Sequence, residues 1–146
     1  MTTKFATKRF QTIEFAEEQV VTFPEGLLGF AGYRRYIILE NPTGGPLMWL
    51  QSVEDGNLAF IIASPTLFKP DYKIDLRPED AEALKLAELE DGKVYTIMVV
   101  PKDNPRAMTA NLQGPLVVND KLGIGRQLVL SNSEYGTKYR VFQGEG

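Results

Sequence analysis

Acidic side chains cluster at two places in the chain where acid–base catalysis could be sought. Glu54 and Asp55 are adjacent, and Glu88, Glu90 and Asp91 form a second group. A catalytic carboxylate pair needs one member that is shielded from water, so that it can hold a proton near neutral pH. Both groups border a glycine in a predicted turn, where Asp and Glu side chains are normally solvated. We therefore interpret both groups as solvated turns.

Other catalytic and cofactor-binding chemistry also lacks the residues it needs. The chain has no histidine and no cysteine, which removes the commonest general base, thiolate zinc sites and cysteine nucleophiles. Any metal site would consist of oxygen ligands alone and would suit Mg²⁺ or Ca²⁺. A pairing of Ser52 or Ser64 with a nearby lysine rests on sequence proximity only, and Gly123-Ile124-Gly125 lacks the third glycine of a dinucleotide-binding motif. We expect no catalytic site, no metal and no cofactor.

Basic and aromatic residues alternate at the start of the chain, at Lys4, Phe5, Lys8, Arg9 and Phe10. Small β-barrels can bind single-stranded nucleic acid with such a pattern. The net charge of the whole chain argues against binding of nucleic acid, because 16 basic residues and 19 acidic ones give a net charge of −3 over 146 residues. A solvated edge strand is the favoured interpretation. Direct binding of nucleic acid by a small acidic β-barrel stays open as the alternative.

Residues 79–91, called the acidic segment below, carry more net negative charge than the whole chain. Six acidic residues against Lys85 leave a net charge of −5 there. The acids are Glu79, Asp80, Glu82, Glu88, Glu90 and Asp91. The pattern indicates a solvated helix face with its acids in water, or a docking surface for a basic partner whose charge would raise the association rate.

The elements that must position these groups are mainly strands. Thirteen glycines and nine prolines disfavour long helices, and short apolar runs ended by turn residues predict strands. One short surface helix is predicted over residues 77–86, with Pro78 at its first position. Strands are predicted near 5–13, 19–23, 33–40, 47–53, 58–63, 71–76, 93–100, 107–113, 115–119 and 124–130. The expected fold is mainly β, an antiparallel barrel-like single domain over residues 1–146.

No part of the sequence predicts export or membrane insertion. The N-terminus has no apolar core typical of a signal peptide, and the longest apolar runs are far shorter than the ~18 residues of a membrane span. We expect a cytoplasmic protein with no membrane partner.

Five segments occur in an order and spacing that resemble one family. Residues 23–30 (FPEGLLGF) precede 50–55 (LQSVED), 58–60 (LAF), 68–72 (FKPDY) and 109–119 (TANLQGPLVVN). Together they resemble the flagellar assembly factor FliW over about residues 10–139. The resemblance implies a non-enzymatic, barrel-like bacterial protein that binds newly made flagellin. It also implies binding of CsrA, an RNA-binding translational repressor, in competition with flagellin.

Three residues of these segments are further candidates for contact with a partner. Asn111 and Gln113 are expected on one face of a strand, where their carboxamides could bind a partner backbone or make internal hydrogen bonds. Pro115 predicts an interruption of the strand ladder between Gln113 and Leu116. Tyr72 is amphipathic enough for the core or an interface. Phe23, Leu27 and Phe30 are expected in the core, beneath a turn that uses Gly26 and Gly29.

Overall fold

The fold is a closed β-barrel seen in a computed structural model that describes residues 2–8, 10–130 and 135–142. Within these ranges the chain forms eleven strands, one α-helix and four short 3₁₀ turns. The strands are β1 (Thr2–Thr7), β2 (Gln11–Ala16), β3 (Val21–Thr22), β4 (Arg35–Leu39), β5 (Met48–Ser52), β6 (Ala59–Ala63), β7 (Lys93–Val99), β8 (Thr109–Ala110), β9 (Leu116–Asn119), β10 (Ile124–Gln127) and β11 (Tyr139–Arg140). The helix α1 is Pro78–Leu84, and the 3₁₀ turns are Glu17–Gln19, Pro65–Leu67, Leu89–Asp91 and Pro105–Ala107.

Strand β7 closes the barrel because it pairs with both β9 and β6. Residues 93–95 of β7 pair with β9, and residues 96–98 pair with β6, while its last two residues also pair with β8. Seven strands, β3 to β7 with β9 and β10, thus form a closed ring, while β8 and β11 extend from β7 as an arm. The ring pairings are antiparallel except for β10 with β3, which is parallel. The predicted mainly β, barrel-like fold with one short helix is confirmed.

Large apolar side chains fill the barrel. Phe23, Tyr36, Leu50, Ile62 and Leu116 are all at most 1% exposed and belong to one cluster. Such complete burial of long side chains is the main source of stability for a chain of this size. Burial also raises the pKa of the Tyr36 hydroxyl to about 12. That hydroxyl donates a hydrogen bond to the Tyr33 carbonyl at 3.1 Å.

Helix α1 lies across the outside of the barrel and buries one face. Leu84, fully buried, packs with Val117 and Leu128. The helix ends where Lys85 adopts a left-handed conformation (φ 55°), and the Asn119 side chain donates to the Leu84 carbonyl at 2.9 Å. The helix therefore begins at Pro78, the predicted first position, and ends two residues before Leu86, the end of the predicted segment.

Two predicted strands were wrong for different physical reasons. Residues 5–13 contain a turn, because the Thr7 hydroxyl accepts from the Phe10 amide and donates to the Gln11 carbonyl, which folds the segment into the β1–β2 hairpin. Residues 71–76 join no ladder, since Asp71 lies in a turn and residues 72–76 are irregular. Their predicted alternation is nevertheless present, with Tyr72, Ile74 and Leu76 less exposed than their neighbours.

The region 107–113 also differs from its prediction. Only Thr109–Ala110 is a strand, and a 3₁₀ turn precedes it. The predicted ladder interruption before Leu116 is confirmed, since β8 ends at Ala110 and β9 begins at Leu116. Strand β11 was not predicted, because two residues are too short to show a periodicity. Within the described ranges, no helix has the length and apolar character to cross a membrane.

Candidate functional site

A groove of about 640 Å³ lies beside helix α1. Its walls are the loop after β3, helix α1, and β10 with the residues that follow it. We call this recess the α1 groove. The residues that define it are Pro24–Gly29, Ala31, Arg77, Asp80, Ala83 and Gly125–Val129.

The loop wall owes its shape to two glycines in left-handed conformations. Gly26 has φ +69°, and a side chain there would place its first carbon 2.5 Å from the Ala31 backbone. Gly29 has φ +84° and faces open space. The resulting turn buries Leu27 and leaves Leu28 63% exposed. The predicted role of both glycines in the turn geometry is confirmed.

Polar contacts join the loop to strand β10. The Gln127 side chain accepts a hydrogen bond from the Leu28 amide at 2.8 Å and donates one to the Gly114 carbonyl at 3.0 Å. Arg126 forms an ion pair with Glu25. These contacts tie the loop to the barrel, so the groove is a formed feature of the fold.

Helix α1 contributes a buried carboxylate, Asp80, to the lining of the groove. Asp80 is 1% exposed, and its two oxygens accept from Arg126 Nε at 2.9 Å and Arg77 Nε at 3.3 Å. The prediction that every acid of the helix faces water was wrong for this residue. The arginine from β10 lies 46 positions away in the sequence, so the helix pattern alone could not reveal it.

Two apolar residues that line the α1 groove are strongly exposed. Leu28 on the loop is 63% exposed, and Val129 after β10 is 51% exposed. Ala83 of helix α1 also lines the groove. Exposed apolar groups around a recess whose charges are already paired favour contact with another molecule over catalysis.

The remaining acids of the acidic segment are exposed. Glu79, Glu82, Glu88, Glu90 and Asp91 all lie at the surface, the last two in the 3₁₀ turn after the helix. The structure therefore brings five of the six predicted acids to the surface and uses Asp80 internally.

Tyr72 is a core residue in the described structure. It is 8% exposed, its hydroxyl donates to the Leu112 carbonyl at 2.6 Å, and its ring centroid lies 4.7 Å from that of Tyr135. Burial, with a smaller contribution from Tyr135, raises the pKa of the Tyr72 hydroxyl.

Asn111 and Gln113 lie in a turn rather than on a strand. The Asn111 side-chain oxygen accepts from the Gln113 amide at 3.1 Å and the Gly114 amide at 2.9 Å. The Gln113 side chain donates to the Leu130 carbonyl at 3.3 Å. Both carboxamides thus make internal hydrogen bonds. The turn also supports the α1 groove from behind, since Gly114 is bonded to Gln127.

The acidic pair near residue 54 has a local structural role. The Glu54 carboxylate accepts from the Arg35 amide at 2.9 Å and the Arg34 amide at 2.5 Å, and these bonds lower its pKa. The Ser52 hydroxyl accepts from the Glu54 and Asp55 amides, both at 3.0 Å. In the described ranges no three acidic side chains come close enough together to hold a metal ion.

The exposed apolar residues of the groove, Leu28 and Val129, were not among the site residues predicted from the sequence. Phe23 and Leu27 are buried as expected, but Phe30 is 37% exposed and packs edge-on against Phe60 at 5.2 Å. The Leu27-Leu28 pair between two glycines was a usable signal, since a tight turn can bury only one of two adjacent leucines. Nothing in the sequence near Val129 distinguishes it from a core valine.

The fold and the groove define a class, a small β-barrel with a surface recess suited to another macromolecule. A sequence model described as FliW protein matches residues 4–141. A flagellar assembly factor FliW from Alkaliphilus metalliredigens is 46% identical over 138 residues, covering 94% of this chain and 85% of the relative. One from Natranaerobius thermophilus is 38% identical over 143 residues, covering 98% of this chain and 95% of the relative.

A solved structure agrees with the sequence comparison. The crystal structure of the flagellar assembly factor FliW superimposes with a TM-score of 0.91 at 35% identity, over 99% of this chain and 100% of the other. The chain belongs to the FliW family of flagellar assembly factors. The resemblance in the five sequence segments is thereby confirmed.

Proposed function

We propose that this chain acts in the cytoplasm as a non-enzymatic factor that binds flagellin and antagonises the translational repressor CsrA. Flagellin synthesis would thereby be coupled to export, because exported flagellin leaves the factor free to bind the repressor. The observation that carries the proposal is the α1 groove, which is lined by exposed Leu28 and Val129 and has helix α1 as one wall. The membership in a family of flagellar assembly factors supports it.

The acidic segment suits a repressor that binds RNA. A protein that binds phosphates carries basic surface, and five exposed acids offer charge of the opposite sign. Such complementarity mainly speeds association and weakens with added salt.

We retain the turn at Asn111 and Gln113 as the proposed flagellin-facing region, with Tyr72 as a buried residue that supports it through its hydrogen bond to the Leu112 carbonyl. The residues between Ala110 and Leu116 form no strand, but their backbone is hydrogen-bonded, for example from the Asn111 amide to the Ile97 carbonyl and from the Leu130 amide to the Gln113 carbonyl. The internal hydrogen bonds of both carboxamides also allow a purely structural role. Measuring stability beside flagellin affinity for variants of both residues separates the two roles.

Direct binding of nucleic acid is the second candidate function. Lys4 and Lys8 on the hairpin are exposed, as that function requires. However, the Phe10 ring packs edge-on against Trp49 with centroids 5.5 Å apart, so it does not offer both faces for stacking on a base.

The proposal is tested by measuring binding of the purified full chain to purified flagellin monomer, purified CsrA and a single-stranded RNA. Isothermal titration calorimetry should give saturable binding to each protein and none to RNA. Binding to RNA without CsrA would favour the second function. Absence of binding to both proteins would contradict the proposal.

A further inference from the structure

The hairpin formed by β1 and β2 is a separate unit of the structure. Within the described ranges it forms a two-stranded sheet of its own and shares no ladder with the barrel. Side chains hold it in place instead, since Phe5, Ile13 and Phe15 pack in one cluster with Ile37 and Val53 of the barrel wall. Apolar packing of this kind can be undone locally without breaking the hydrogen bonds of the ring strands. The hairpin can therefore separate from the barrel while the barrel stays folded.

The hairpin covers the outer face of strands β4 and β5. Gln51 of β5 pairs with Ile37 of β4, and the next pair on the same face joins Trp49 to Leu39. Ile37 and Leu39 belong to the cluster that packs against the hairpin, which identifies this face as the covered one. The Phe10 ring of the hairpin packs edge-on against Trp49, with the ring centroids 5.5 Å apart. Trp49 and Gln51 therefore lie on the face that the hairpin covers.

Two buried polar atoms on this covered face have no hydrogen-bond partner among the described residues. They are the Trp49 Nε1 donor and the Gln51 Oε1 acceptor. The Gln51 side chain is held in this orientation, because its Nε2 donates to the Ser52 carbonyl at 2.9 Å and to the Leu58 carbonyl at 3.1 Å. Burying a polar group without a hydrogen bond carries a free-energy penalty, which contact with water removes. The docked hairpin is thus stabilised by apolar packing and opposed by these two atoms.

One glycine determines whether the hairpin can dock. Gly56 lies in the turn between β5 and β6, and its carbonyl accepts a hydrogen bond from the Lys8 amide at 2.9 Å. A first side-chain carbon at Gly56 would lie 2.2 Å from the carbonyl oxygen of Ala6 in β1, so the two atoms would overlap. The Gly56 backbone is outside the left-handed region, so an alanine there is compatible with the turn itself. The clash is with the hairpin, which must move away to relieve it.

We infer that the β1–β2 hairpin is a lid, which opens and closes over the outer face of β4 and β5 while the barrel remains folded. In the closed state the lid shields apolar side chains such as Phe15 and Ile37, which are 4% and 1% exposed. In the open state these side chains meet water, and so do the polar atoms of Trp49 and Gln51. The inference goes beyond the proposed function and depends on neither of the proposed partners.

The single tryptophan of the chain, Trp49, lies under the lid, so its fluorescence reports on opening. The test compares the full chain with Gly56→Ala and with Gly32→Ala. The second variant is the matched control, because a carbon added at Gly32 meets no atom within 4 Å and the backbone there is not left-handed. Gly56→Ala is expected to raise the acrylamide quenching constant of Trp49 roughly twofold or more, with the far-UV circular dichroism of a folded barrel. Gly32→Ala is expected to match the parent chain in both measurements.

Native-state hydrogen exchange of the parent chain tests the lid without any substitution. An open lid is an isolated two-stranded hairpin, which is only marginally stable in water. The amides of β1 and β2 are therefore expected to exchange together, roughly tenfold or more faster than those of β4 and β5. Hairpin amides that exchange no faster than the barrel amides would overturn the inference. Unchanged Trp49 quenching in a folded Gly56→Ala variant would overturn it as well.

Discussion

Replacing Asp80 should destabilise the fold far more than replacing any neighbouring acid. The Asp80 side chain is 2% exposed, whereas those of its partners Arg126 and Arg77 are 27% and 53% exposed. Removing one member of a buried ion pair costs roughly 3–5 kcal/mol, because the other charge is left without compensation. Since both arginines keep some solvent contact and Arg126 keeps Glu25, we expect a value near 3 kcal/mol for Asp80→Ala.

The expected loss is large enough for simple measurement. For a chain of about 150 residues, 1 kcal/mol shifts the melting temperature by roughly 2–4 °C, so Asp80→Ala should lower it by about 6–12 °C. Asp80→Asn retains the shape and should lose less. Glu82→Ala, exposed on the same helix, is the matched control and should change stability by no more than about 0.5 kcal/mol.

Circular dichroism during urea and thermal unfolding gives the comparison directly. If Asp80→Ala and Glu82→Ala were equally stable, Asp80 would not brace the helix against β10, and the reasoning from its burial would be refuted. A confirmed loss would mean that charge-removal experiments on the acidic segment must leave Asp80 intact.

Three further predictions concern the other candidate residues. Neutralising the five exposed acids of the acidic segment to amides should slow association with CsrA and flatten its salt dependence; unchanged association rates at low ionic strength would remove the segment from the interface. Asn111→Ala and Gln113→Ala should each lower the free energy of unfolding by about 1–3 kcal/mol. Normal flagellin affinity in these destabilised variants would end their proposed contact with flagellin. The bonds from the Arg34 and Arg35 amides lower the pKa of Glu54. These bonds therefore stabilise the fold fully at pH values above the ordinary Glu pKa of about 4.3. Their contribution to stability disappears as the pH falls through the lowered pKa. The melting temperature of Glu54→Gln should therefore approach that of the parent chain below pH 4, and a gap that stays constant to pH 3 would contradict this.

The parts of the fold that could be predicted are those determined by residues close together in the sequence. Strands β4 to β7 follow from short apolar runs ended by turn residues, and α1 follows from Pro78 and the spacing of Ala81 and Leu84. The hairpin turn at Thr7 was missed because a side-chain hydroxyl, rather than glycine or proline, makes it. Residues 71–76 have a strand pattern, but the ladder pairing depends on neighbours far away in the chain.

Sequence reasoning predicted only those residues of the candidate site whose type alone makes them exposed, namely the surface acids. Five acids of the acidic segment are at the surface as expected, since isolated carboxylates rarely lose their water. Asp80 differs because Arg126 and Arg77 compensate its charge, and that contact exists only after β10 meets the helix. Leu28 and Val129 likewise face one groove only because the closed ring brings β10 beside the loop after β3.

The most direct test of the central proposal is a competition between the two partners. A complex of the full chain with fluorescently labelled CsrA is titrated with unlabelled flagellin monomer, and the fraction of bound CsrA is followed by fluorescence anisotropy. The account predicts that flagellin displaces CsrA completely, with a midpoint that rises in proportion to the CsrA concentration. Anisotropy that stays at its bound value at saturating flagellin would contradict the account.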